Sequence, residues 1–378
     1  MEKIKYTIGG YAMTNKNYEG NVYNIQCKHS GKVLDIYKGL KDDSTKVIQY
    51  DFNNGDNQKF LLFSLDDNSY MIGAKHSGKV FDIYGGSKDD GANLIQFTPH
   101  GSGNQRFLMK SSENDVIIEA KHSGKVLDVC KGKKDNEVQI IQYREHGGDN
   151  QRFILKKVED ANMPKPSKLE ELVDVVIPRL KDFDTILPEK TDEVRVSETL
   201  IPYFCVNDDT FDLATAIKKT PYYKLAKVEY WKKLYQIEFS GVFDETKKVT
   251  YKSGMSEEKN KQFTNTTSIS VGADLGFSFY GLTAKLSTQI SNELRISQST
   301  TTTSVQETTI EETLTTTDSR KGKRFIVAKW CLVDKYVLER ADGTIVDTWS
   351  LSNTDVTKED AYPASPENAF KSTFKVIE

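Results

Sequence analysis

The chain is poor in the residues that most often carry out chemistry. Its 378 residues include four cysteines and five histidines. Cys27, Cys130, Cys205 and Cys331 lie far apart and form no CxxC pair, which argues against a zinc site or a repeating disulfide framework. All five histidines precede residue 147, so the remainder has none for metal ligation or general-base work. Neither a metal nor a cofactor is expected. No apolar run approaches the roughly 20 residues of a membrane-spanning helix. The N-terminal MEKIKYTIGG lacks the apolar core of a secretory signal, so synthesis in the cytoplasm without a signal peptide is the expectation. Net charge is −3, and neither half has the strongly basic face of a nucleic-acid binder.

What the chain does have is repetition. HSGKVLDI at 29–36 returns as HSGKVFDI at 76–83 and as HSGKVLDV at 122–129. Downstream of each copy come VIQY, LIQF or IIQY, ending at Tyr50, Phe97 and Tyr143, and then NQKF, NQRF and NQRF, beginning at Asn57, Asn104 and Asn150. Within every copy the aspartate precedes its aromatic by 15 residues and the aromatic precedes its asparagine by seven. A period near 46 residues, built of short β-branched and aromatic runs between Ser-Gly and Asn-Gln turns, predicts three like β units. Three such units close best as one pseudo-threefold barrel, because a three-bladed propeller leaves too many exposed edges. The predicted copies span about 20–66, 67–113 and 114–158.

Histidine, serine and aspartate in one motif invite a catalytic reading, which the spacing disfavours. The histidine and serine are neighbours at a turn, the aspartate is six residues beyond on a strand, and nothing predicts a strained nucleophile. A binding reading suits the residues better. A carboxylate accepts hydrogen bonds from adjacent hydroxyls, an amide both donates and accepts, and an aromatic face packs on the C–H face of a pyranose.

The SGK-(V/L)-x-D, IQ-aromatic and NQ-x-aromatic segments resemble the ricin-B-type β-trefoil lectins, with Phe60, Phe107 and Phe153 where that family has the tryptophan of Q-x-W. The resemblance covers about residues 20–158. It implies a trefoil over 1–158 and three carbohydrate sites, Asp35/Tyr50/Asn57, Asp82/Phe97/Asn104 and Asp128/Tyr143/Asn150. The implied ligands are galactose or N-acetylgalactosamine on glycans or glycolipids. Gln49, Gln96 and Gln142 read as fold-forming, whereas Gln58, Gln105 and Gln151 read equally well as structural or ligand-contacting.

Beyond Phe153 the repeat stops. Residues 159–195 contain Pro164, Pro166, Pro178 and Pro188 and read as a connector with a short helix over 168–176, capped by Ser167. A second domain is expected over 196–378. Within it, 23 of the 54 residues from 264 to 317 are serine or threonine, yet apolar residues alternate, so the stretch is not a flexible linker. Ile269, Val271, Leu275, Phe277 and Phe279 share one face, and a turn at Tyr280-Gly281 would return Leu282, Leu286 and Ile290 to it. Strands of this length and alternation meet the needs of a transmembrane β-barrel, although the pattern alone favours a half-buried hairpin in a soluble sheet. Glu307, Glu311 and Glu312 are the nearest acidic cluster for a glycosidase reading and read as solvated strand or edge residues.

LIPYFCVND with TPYY-x-L-x-K-x-x-YW, Thr220 to Trp231, is similar to the Bacillus binary-toxin-like (Tpp, Toxin-10 type) insecticidal crystal proteins. That resemblance implies a mainly β chain, a trefoil head joined to an elongated aerolysin-like pore-forming domain, and no enzymatic activity. It further implies deposition as a parasporal crystal during sporulation and action at host cell membranes. A homo-oligomeric pore, a second binary-toxin component and protease trimming at 1–17 or in the tail DAYPASPENAFKSTFKVIE complete the expectation. The alternative is a lectin or agglutinin that forms no pore.

Overall fold

Short β-branched and aromatic runs punctuated by turn residues can pair only as short strands, and the first half of the chain does this repeatedly. The computed structural model describes residues 6–8, 11–13, 18–65, 69–111, 114–170, 176–241, 245–267, 269–272, 276–279, 290, 292–294, 307–317, 320, 322–364 and 370–377. The fold is mainly β and divides into two compact units. One holds the described residues of Met1–Lys165 and Ile201–Tyr223, the other those of Pro166–Leu200, Lys224–Tyr280 and Thr288–Glu378.

In the first unit, β1 (Tyr6–Ile8) pairs with β2 (Tyr11–Met13). The first repeat then supplies β3 (Asn21–Cys27), β4 (Val33–Ile36), β5 (Thr45–Tyr50) and β6 (Phe60–Ser64). The second supplies β7 (Ser69–Ala74), β8 (Val80–Ile83), β9 (Leu94–Phe97) and β10 (Phe107–Ser111), and the third β11 (Val116–Ala120), β12 (Lys125–Val129), β13 (Val138–Tyr143) and β14 (Phe153–Asp160). All twelve join one sheet, in which β5 also pairs with β9 and with β13 across repeats. Ile25, Ile72 and Ile118, Leu34, Phe81 and Leu127, and Val47, Leu94 and Ile140 are buried at equivalent positions in one core. Phe60, Phe107 and Phe153 are fully buried there, as plugs that draw the repeats onto a common axis.

The HSG turns have a structural task that links the repeats. The Nε2 of His29, His76 and His122 meets the carbonyl of Lys133, Leu40 and Ser87 at 3.0, 3.0 and 2.8 Å, in each case in a neighbouring repeat. Because a carbonyl only accepts, each Nε2 carries the hydrogen. Ser30, Ser77 and Ser123 donate to the buried Gln49, Gln96 and Gln142, each at 2.8 Å. Those glutamine amides donate in turn to two carbonyls of the neighbouring repeat, such as Lys133 and Asp135 for Gln49.

A lysine after each turn completes the joint, and here the copies differ. Lys125 pairs with Asp90 at 2.6 Å and Lys79 with Asp43 at 2.5 Å, both across repeats. The position equivalent to those aspartates is Asn136, and Lys32 instead pairs with Asp51 of its own repeat. Asn136 still accepts the Asp51 backbone N–H at 3.0 Å, as Asp43 and Asp90 accept those of Thr98 and Arg144.

Ile201–Tyr223 lies in the first unit, whereas the sequence expectation put it in the second domain. Its helix α1 (Leu213–Lys219) is capped by Asp212, whose side chain accepts from Thr215 N. The physical reason for the assignment is a set of long-range contacts. Tyr203 donates to the carbonyl of Gly78 at 2.6 Å, Phe63 packs on Tyr203, Phe204 and Tyr222, and Lys218 pairs with Asp56 at 2.9 Å. The turn of the second repeat is therefore covered, and His76 and Ser77 are buried.

The second unit holds β21 (Phe325–Glu339), β22 (Ile345–Tyr362) and most of β15 (Val194–Pro202) and β16 (Tyr222–Phe239), which form one antiparallel sheet in the order β15, β16, β21, β22. A second sheet orders β17 (Thr246–Ser253), β20 (Thr308–Thr316) and β23 (Phe370–Ile377). Ile177, Leu180 and Leu187 of the expected connector pack into the core with Trp231 and Trp330. Of the helix expected over 168–176, residues 171–175 lie outside the described residues. The expected tail contains β23, which pairs with β20 along its whole length. Glu312 is fully buried, not solvated, and accepts from Lys329 at 2.9 Å and from Tyr251 at 3.0 Å.

The 269–290 hairpin also differs from expectation. Helix α2 (Glu257–Thr267) precedes β18 (Ile269–Gly272) and β19 (Gly276–Phe279). Ile269 pairs with Phe279 and Val271 with Phe277, whereas a turn at Tyr280-Gly281 would have paired Val271 with Ile290. Strict alternation fixes which residues share a face but not which partner each one meets. Leu275, Leu282 and Leu286 lie outside the described residues. Ile290 is buried, and its carbonyl accepts from Leu294 N at 2.8 Å.

The covered turn gives a stability test. Gly31, Gly78 and Gly124 have φ of +74°, +70° and +67°, so alanine at any of them carries the left-handed penalty of ~1–2 kcal/mol. A Cβ on Gly78 would also lie 2.1 Å from the Leu213 carbonyl oxygen, whereas one on Gly124 meets nothing within 4 Å. Gly78→Ala is expected to cost a further ~1–3 kcal/mol, read as a lower chemical-denaturation midpoint than that of Gly124→Ala.

Candidate functional site

Each repeat brings its aspartate, aromatic and asparagine to one place by the same construction. Asp35 sits on β4 opposite Ile48 of β5, and Tyr50 opposite Val33. The two are thus diagonal neighbours on one face of the ladder. Asp82 with Phe97 and Asp128 with Tyr143 repeat this register. Asn57, Asn104 and Asn150 occupy 3-10 turns at Asp56–Gln58, Gly103–Gln105 and Asp149–Gln151. Each asparagine amide donates to the carbonyl that follows the aspartate, that of Ile36, Ile83 or Val129, at 3.2, 3.3 and 3.4 Å. The sequence-predicted sets therefore converge in all three repeats, with the aspartates nearly buried and the aromatics half-buried.

The residue that organises each cluster is the glutamine whose role the sequence leaves open. Gln58, Gln105 and Gln151 are fully buried and donate to Oδ2 of Asp35, Asp82 and Asp128 at 2.8, 2.9 and 2.9 Å. The same amide nitrogen donates to the carbonyl of Asp51, Thr98 or Arg144. Its oxygen accepts the backbone N–H of Asn53, His100 or His146. One side chain thus fixes the carboxylate and the loop that follows the aromatic.

Sequence reasoning missed two further members. His100 Nε2 and His146 Nε2 lie 3.2 Å from Oδ2 of Asp82 and Asp128, and each ring stands edge-on to the neighbouring Phe97 or Tyr143. Their 46-residue separation was a readable signal, but the first repeat has Asn53 there and so breaks the pattern. The backbone beside each site is unusual as well: Lys38 and Lys131 adopt φ of 55° and 57°, where the second repeat has Gly85.

Burial pushes the carboxyls of Asp35, Asp82 and Asp128 above the ordinary 3.8, against the opposing pull of the glutamine amides. A raised folded-state value means that the native protein binds more protons than the unfolded chain just above pH 3.8. The contribution of these groups to stability therefore falls as pH rises through that window. Asp35→Asn, Asp82→Asn and Asp128→Asn together are expected to flatten that part of the pH–stability curve. At neutral pH the unfolding midpoint should be maintained or raised, measured by chemical denaturation across the acid range.

Known families resemble both parts of the chain. The family described as ricin-type beta-trefoil lectin domain-like matches residues 6–97 and 103–163, and that described as Insecticidal Crystal Toxin, P42 matches residues 194–364. Binary larvicide subunit BinA of Lysinibacillus sphaericus is 29% identical over 210 residues, 53% of this chain and 53% of that protein. Insecticidal crystal protein Cry35Ab1 of Bacillus thuringiensis is 30% identical over 135 residues, 33% of this chain and 35% of that protein. The chain thus spans about half the length, or less, of these curated relatives. The crystal structure of Cry35Ab1 matches with a TM-score of 0.72 at 23% identity, over 92% of this chain and 91% of that one, and so shares its fold. The chain is thus similar to binary-toxin-like crystal proteins, with a ricin-type trefoil lectin match over its first part and a crystal-toxin match over 194–364.

Proposed function

We propose that this chain is an insecticidal, glycan-directed pore-forming toxin. The observation that carries the binding half is the threefold Asp–Gln–Asn–aromatic cluster. Because the glutamine occupies Oδ2, the other carboxylate oxygen is the one to meet a sugar hydroxyl. The aromatic then serves the C–H face of the ring, and galactose or N-acetylgalactosamine is the proposed ligand. Three weak sites on one head can raise avidity roughly 10²–10⁴-fold on a glycolipid surface.

The toxic half of the reading is supported by the crystal-toxin match over 194–364. The binary naming of BinA suggests a second protein component as partner, with deposition as a crystal and action at the host cell surface. No helix among the described residues is long and apolar enough to cross a membrane, which leaves strands as the spanning element in this reading. The ladder between β17 and β20 ends at the pair Ser253–Thr308, and residues 254–307 separate the two strands in sequence. Release of α2, β18 and β19 would let that ladder continue as a longer antiparallel ribbon. One ribbon from each protomer of a homo-oligomer, including 269–290, would then close a barrel.

The test uses the full chain, protease-treated and offered to dye-loaded vesicles bearing a galactose-terminated glycolipid. Leakage is expected, together with its loss in the combined Asp35→Ala, Asp82→Ala, Asp128→Ala variant. Binding without leakage, with or without a second component, would identify an agglutinin instead. Galactoside binding that survives the triple substitution would overturn the site assignment.

A further inference from the structure

The three sites share a scaffold but not a rim. In each repeat the buried glutamine holds the carbonyl of one loop residue and the N–H of the residue two positions on, and the residue between them is presented at the loop tip. That tip is Phe52 between Asp51 and Asn53, Pro99 between Thr98 and His100, and Glu145 between Arg144 and His146. Glu145 pairs with Lys110 at 3.3 Å. Phe52 is 57% exposed.

An exposed phenylalanine on a loose loop would mean little, but this loop is well fixed. Besides the two bonds from Gln58, the Asp51 backbone N–H and carboxylate are both held by Asn136, at 3.0 and 2.8 Å. Asn53 Oδ1 accepts from Gly55 N at 2.8 Å, and Asn54 takes φ of 62°. The backbone on both sides of a 57% exposed apolar ring is therefore fixed, two residues beyond the Tyr50 face that the lectin reading assigns to the first sugar. An aromatic face held in that way suits the C–H face of a second pyranose.

Resting on the lectin reading above, we propose that the first site recognises a galactoside of at least two sugar units, with Phe52 as the platform for the second ring. The third site has Glu145, paired with Lys110, at the same place and so lacks that platform.

Titration calorimetry with galactose and with lactose tests this on the full chain. The Asp82→Ala, Asp128→Ala variant isolates the first site, and Phe52→Ala is then added. The lactose-to-galactose affinity ratio is expected to fall about 2- to 10-fold. In an Asp35→Ala, Asp82→Ala background, Glu145→Phe should raise the same ratio at the third site. Ratios unchanged by both substitutions, with sugar binding intact, overturn the proposal and leave the lectin reading standing. Failure of the unmodified chain to bind either sugar overturns both.

Discussion

A carboxylate can be held ionised in the wall of a β-barrel only where a fixed donor answers it, because an unpaired buried charge costs several kcal/mol. In this chain that donor is one amide hydrogen of Gln58, Gln105 or Gln151. The remaining capacity of the same side chain is spent on backbone groups of the loop after each aromatic. The site and the loop are therefore one object. Moving the glutamine would release the aspartate, the loop tip and the asparagine turn together, which explains why the Asn-Gln pair is present in every copy.

The same economy of buried polar groups joins the repeats. Gln49, Gln96 and Gln142 lie on β5, β9 and β13, and each spends its amide on a neighbouring repeat's carbonyls. The histidine and serine that suggested catalysis are bound into this joint. In the second unit, buried charges hold strands together in a comparable way. Lys329 reaches Glu312 on β20 from β21, and Lys227 on β16 pairs with Asp334 on β21 at 3.3 Å. Burial raises the Asp334 carboxyl to about 6 despite that partner. Such pairs specify which strands meet more than they add net stability.

Much of the first unit was legible because its information is local and occurs three times. The 46-residue period, the aspartate–aromatic–asparagine spacing and the positive-φ glycines all come from short segments, and chance agreement falls steeply with each copy. The glutamine's role, the His100 and His146 contacts and the loop-tip position depend on which atoms meet after closure, which spacing alone does not encode. In the second half the signals were weaker in kind. Alternation along 269–290 fixed faces and left the turn free, so the register shifted. Glu312 looked like its solvated neighbours because its burial comes from Tyr235, Tyr251 and Lys329, distant in sequence. The Ile201–Tyr223 segment is likewise placed by Gly78 and Phe63, more than a hundred residues away.

The lysine after each HSG turn bears on how freely the repeats could be exchanged. Lys79 and Lys125 draw their acid from the repeat before them, whereas Lys32 finds it on its own loop because Asn136 offers no charge. A second-repeat sequence transplanted into the first position would bring Thr98 in place of Asp51 and face Asn136 with its lysine unmatched. The three copies look like interchangeable modules in their motifs, yet at their seams they have become a fixed order, each edge fitted to one neighbour.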